Sequence, residues 1–165
     1  MRLKTLKLKK GSCAIPSEIL YEDFTHLEVY GGALESVPSK LFEMPNLEVM
    51  RLKNCALATL PESAEMGEKL HTLVLSQNEL TTIPAWLSSA RALRVLDLGH
   101  NQIATLPEAL PQTLERLVLD SNQFETLPAA LFNLKRLIHL SLDENPLSEH
   151  TKQQIFKRFG IWTGA

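Results

Sequence analysis

One spacing governs this chain. Leucines recur in the pattern Leu-x-x-Leu-x-Leu-x-x-Asn-x-Leu-x-x-Leu-Pro, at steps of 21 or 23 residues. The units start at Leu3, Phe24, Leu47, Leu70, Leu93, Leu114 and Leu137. The fourth is the cleanest, with Leu70, Leu73, Leu75, Asn78, Leu80, Ile83 and Pro84. A period in this range is the signature of a stacked repeat, because one unit cannot bury its own apolar side. Within a unit, Leu-x-Leu predicts a short strand whose leucines point inward and whose intervening residue points out. Stacked units then predict a continuous leucine core beside a parallel sheet. The 31 Leu in 165 residues are what that core demands.

The Asn leaves the strand at a tight turn, where its amide can satisfy backbone groups that the sheet leaves unpaired. Read through the units this slot holds Gly11, Gly32, Cys55, Asn78, Asn101, Asn122 and Asn145, so the ladder is complete only in the second half. The glycine-bearing first two units are expected to be looser. After each Leu-Pro, a Pro-x-x-Leu segment predicts one or two helical turns. Leu41, Leu87, Leu110 and Leu131 should point inward there, with Phe42 and Phe132 in structural positions and Trp86 on the outer side, either as a second contact point or half-packed on its neighbours. The fifth unit carries Pro111 and is two residues shorter, which predicts an extended segment instead.

These repeats resemble the leucine-rich repeats of bacterial proteins that carry a leucine-proline step in each unit. The resemblance implies an α/β leucine-rich repeat solenoid, right-handed and curved. Its parallel sheet lies on the concave face and short helices or turns on the convex face. The expected organisation is a seven-unit repeat domain over residues 3–147, followed by a C-terminal capping helix and tail over 148–165. Ser148 is a good N-cap. Thr151, Ile155 and Phe159 share one face of the following helix, and Glu149 and Lys157–Arg158 suit its dipole. Gly160 is placed to end it, with Ile161 against Phe156. At the other end, Leu3–Leu8 is expected to be either an edge strand protected by its lysines or a strand that meets another chain.

A net charge of −2 gives no overall pull toward nucleic acid or acidic membranes. No secretory leader is visible at the N-terminus, and no run is long enough to span a bilayer. Cys13 and Cys55 fall at positions expected to be buried, which favours free thiols in a reducing cytoplasm.

Function in such a fold is expected on the outward strand positions. The third position of each unit holds Thr5, His26, Val49, Thr72, Val95, Arg116 and His139. The fifth holds Lys7, Glu28, Arg51, Val74, Asp97, Val118 and Ser141. The seventh holds Lys9, Tyr30, Lys53, Ser76, Gly99, Asp120 and Asp143, and the eighth starts at Lys10. One end is basic, the other acidic, and valines lie between, as in a protein-binding patch. The candidate partner-binding residues are Tyr30, Val49, Arg51, Lys53, Val74, Val95, Asp97, Arg116, Val118, Asp120, His139 and Asp143. Repeat geometry brings together no nucleophile–histidine pair, and no phosphate-binding glycine loop is present. His139, Asp120 and Asp143 could meet a cation, but a solvated acidic patch is the favoured reading. The expectation is a monomeric, non-enzymatic interaction module that binds a protein or peptide without cofactor or metal, and neither nucleic acid nor membrane. The alternative is a bacterial effector, exported without a usual signal peptide, that acts on a host protein by binding.

Overall fold

The structure, a computed structural model, describes residues 2–9 and 12–162. Seven parallel strands form one sheet in chain order among the described residues. They are β1 (Leu3–Lys7), β2 (His26–Tyr30), β3 (Val49–Lys53), β4 (Thr72–Val74), β5 (Val95–Asp97), β6 (Arg116–Val118) and β7 (His139–Ser141). Each strand pairs with the next, so every unit adds one strand beside the last. Leu27, Met50, Leu73, Leu96, Leu117 and Leu140 stand in register across the sheet and are all buried.

Opposite the sheet, 3-10 turns cover Ser17–Tyr21, Ser39–Leu41 and Ala85–Ser89, and a short helix α1 covers Ala129–Phe132. Each follows a proline, whose fixed φ suits a first helical turn. Leu41, Leu87, Leu110 and Leu131 are buried as expected, and Phe42 is fully buried. The fifth unit has no helical element between Pro107 and Thr113. Trp86 is half-packed on its neighbours, one of the two readings of its position. Its ring packs edge-on against Phe42 at 5.1 Å, and its Nε1–H donates to the Pro61 carbonyl at 2.8 Å. A lone indole on a solenoid is better satisfied by closing over its neighbour than by facing water.

The Asn ladder is the main polar device of the core. The Nδ2 of Asn101 donates to the carbonyls of Leu75 and Leu98, at 3.1 and 2.9 Å, while its Oδ1 accepts the N–H of Leu80 at 3.0 Å. Asn122 and Asn145 do the same one and two units on. Each amide thus ties its own turn to the unit before it. The residue preceding the slot is left-handed in every unit from the second: Gly31, Asn54, Gln77, His100, Ser121 and Glu144 all have φ between 52° and 79°. That kink ends the strand and swings the slot residue inward. For the four residues that are neither Gly nor Asn it carries a local cost, offset by the buried amide bonds it permits.

Two ends of the stack depart in detail from the repeat pattern. β1 pairs with β2 at an offset of 23 residues, Leu3 with His26 and Lys4 with Leu27, rather than the 21 implied by a unit start at Leu3. Lys4 therefore occupies the inward column. Its ammonium meets Glu22 at 2.6 Å. An inward-pointing charge on an edge strand discourages further strand addition. Leu6 and Leu8 pack on the core instead, Leu8 where Gly32 leaves no Cβ in its way. Cys13 is exposed, whereas Cys55 is buried, and both are free thiols. The expectation of a buried Cys13 fails because the shifted first unit leaves its turn outside the core. Lys10 and Gly11 lie outside the described residues.

At the other end helix α2 (Glu149–Phe159) lies over the last unit. Ser148 Oγ accepts the Thr151 N–H, and Thr151 Oγ1 donates to the Glu125 carbonyl at 3.0 Å. Ile155 is fully buried, Phe159 stacks on Phe132 at 6.1 Å, and Arg158 Nε donates to the Phe132 carbonyl. Gly160 ends the helix at φ 70°, its N–H on the Phe156 carbonyl. Phe156 meets Trp162, with ring centres 4.4 Å apart, while Ile161 lies part-buried on the core.

Candidate functional site

The outward side chains of the seven strands form one continuous face. Its rows are set by register. The first runs Leu3, His26, Val49, Thr72, Val95, Arg116, His139 and the second Thr5, Glu28, Arg51, Val74, Asp97, Val118, Ser141. A third row begins Lys7, Tyr30, Lys53. Neighbours within a row stand about 4.8 Å apart, one strand spacing.

The two-residue shift of β1 changes the basic end. Leu3, half exposed at 51%, joins the face in place of Thr5, and Thr5 takes the place expected for Lys7. Lys7 in turn stands beside Tyr30, where Lys9 was expected. Tyr30, 41% exposed, is therefore flanked by the exposed Lys7 and Lys53. Arg51 is not free: its Nη1 pairs with Glu28 Oε1 at 3.1 Å across β2 and β3. Such a half-exposed pair is worth only about 0–1 kcal/mol and opens readily.

In the middle, Val74, Val95 and Val118 are part-exposed. Val49 is not part of the patch. It is only 5% exposed, shut in between His26 and Thr72 on the neighbouring strands. Strand position alone assigns it to the outer face, but accessibility is decided by the bulk beside it.

The acidic end is more internally committed than its composition implies. Asp97 Oδ1 accepts the Gly99 N–H at 3.0 Å. Asp120 Oδ1 accepts the Ser141 hydroxyl at 2.6 Å and the Asp143 N–H at 2.9 Å. These carboxylates hold the strand ends in place as well as presenting charge. Asp143 is exposed, and so are Arg116 and His139, which are register partners. His26 and His139 are five strands apart and cannot act together. Among the described residues no three His, Cys, Asp or Glu side chains are grouped to hold a metal ion. Also among them, no helix is long and apolar enough to cross a membrane.

Leucine-lined units, one parallel strand each, tied by an Asn ladder and exposing an open strand face, define a leucine-rich repeat protein. Its fold is that of the leucine-rich repeat proteins, and residues 45–103 match the leucine rich repeat family model. Among solved structures it is similar to a leucine-rich repeat protein of Leptospira interrogans, with 31% identity and a TM-score of 0.82. That match covers 91% of this chain and 39% of the Leptospira chain, so the sequence spans about two-fifths of its relative's length. It shares its fold with a chain of the Toll–Spatzle complex of Drosophila, at 22% identity and a TM-score of 0.71, covering 97% of this chain and 26% of that one. Among curated protein sequences none matches significantly.

Proposed function

We propose that this chain is a non-catalytic binding module that takes one protein or peptide lengthwise along its concave strand face. The observation that carries this reading is the order of side chains on that face. Exposed Tyr30 between Lys7 and Lys53 lies at one end, part-exposed Val74, Val95 and Val118 in the middle, and Arg116, His139 and Asp143 at the other. An apolar centre between a basic end and an end of mixed charge suits a partner that is desolvated in the middle and oriented at its ends. The binding residues are those, joined by Leu3, Arg51, Asp97 and Asp120.

The two free cysteines fit a reducing compartment such as the cytoplasm.

The test is affinity capture with the intact chain, followed by titration of the captured partner against variants. Val74→Glu with Val118→Glu should weaken binding by at least ~2 kcal/mol, a typical hot-spot loss. Glu108→Lys, exposed on the convex side, should leave affinity unchanged. Loss with Glu108→Lys but not with the valine pair would overturn the concave assignment.

A further inference from the structure

The residue just before each unit's first leucine lies at the edge of the sheet where the strands begin. Along units four to seven that position reads Lys69, Ala92, Thr113, Arg136. The two small residues in the middle leave a trough of about 570 Å³ between the two long cations. Arg91 and Arg94 line it from either side of Ala92. The cations are all exposed. Arg91 and Arg136 make no ion pair among the described residues. Arg94 meets Glu115 only at 3.7 Å, and the Lys69 ammonium donates to the neutral Asn46 Oδ1. Four cations thus face a trough whose lining holds one acid, Glu48.

We infer that this trough is a second interaction site, distinct from the concave face, for an acidic segment of a partner protein. Three observations select that chemistry. The backbone amides at the trough wall are already used: those of Arg94 and Val95 both donate to the His71 carbonyl, and those of Glu115 and Arg116 to the Arg94 carbonyl. They cannot form the N–H nest that grips a phosphate. The trough is lined by no Phe, Tyr or Trp on which a nucleic-acid base could stack. From Lys69 to Arg136 is three strand spacings, ~14 Å, which an extended segment of about four residues spans. Its carboxylates would meet Arg91, Arg94 and Arg136, and bidentate guanidinium–carboxylate pairing is the strongest contact those side chains offer.

The experiment is fluorescence anisotropy on the full chain at low salt. The probes are a labelled ten-residue polyglutamate peptide and a labelled ten-nucleotide single-stranded DNA of matching charge. The peptide should bind, and Arg91→Glu with Arg136→Glu should weaken it by ~10-fold or more. Lys7→Glu with Lys53→Glu, on the concave face, should change it less than about twofold, which separates this site from the one proposed above. Arg91→Gln with Arg136→Gln gives the milder variant should charge reversal unfold the chain. No peptide binding, equal loss in both pairs of variants, or tighter binding of the DNA would each overturn the assignment.

Discussion

Asn78 completes the turn of Cys55. Its Oδ1 accepts the N–H of Cys55 at 3.0 Å and of Leu57 at 3.2 Å, while its Nδ2 donates to the Leu52 and Leu75 carbonyls, both at 2.8 Å. Cys55 fills the Asn slot of its own unit with a thiol that makes only long contacts, 3.4 Å to the Lys53 carbonyl and 3.6 Å to that of Val29. The third unit therefore depends on the amide supplied by the fourth.

Asn78→Ala removes that amide and leaves buried N–H and carbonyl groups unpaired in two units. The expected loss is ~1–3 kcal/mol per orphaned group that water cannot reach. A urea melt should show a lowered midpoint, with more rapid hydrogen exchange at Cys55 and Leu57. Unchanged exchange at those two amides would refute the dependence.

Leu96 is fully buried in β5, within the inward column. Leu96→Ala should cost ~2–5 kcal/mol, since the flanking Leu73 and Leu117 belong to rigid strands and cannot collapse into the space. A change within the error of the melt would mean that this column is not the core.

The two thiols should react differently. Burial pushes the Cys55 thiol up from 9.0 to about 11, because the charged form would be stranded away from water. At neutral pH a thiol reagent should label one site, Cys13, in the native protein and two after denaturation. The protonated Cys55 favours the folded state, so its contribution is fully present below pH 9 and is lost as pH rises toward 11. Cys55→Ala should flatten that alkaline decline in stability. Rapid native labelling of Cys55 would contradict its burial.

Deleting residues 148–165 strips α2 from the final unit and bares the apolar surface under Ile155 and Phe159. Aggregation, or loss of protection in β7, is expected, because a repeat stack needs a closed end. The finer variant Ser148→Ala removes the acceptor for the Thr151 N–H and should cost ~1 kcal/mol. A soluble deletion product with an unaltered melting curve would show that the helix does not cap.

From the second unit on, the strand rows, the buried leucine columns and the Asn ladder were legible residue by residue, as were the turns after Pro16, Pro38, Pro84 and Pro128. Each depends on spacing within one unit: Leu73 and Leu75 point inward because side chains alternate along a strand, whatever surrounds them. What tertiary structure alone decided involves side chains about one unit apart. The register of β1, which sets Lys4 beside Glu22, and the burial of Val49 between His26 and Thr72 are both decided across strands. The commitment of Asp120 turned on Ser141 and Asp143, and the basic trough on small Ala92 and Thr113 lying between Lys69 and Arg136. A repeat pattern states which way a side chain points. Only the stacked neighbours, arriving 18 to 23 residues away in the chain, determine what it meets there.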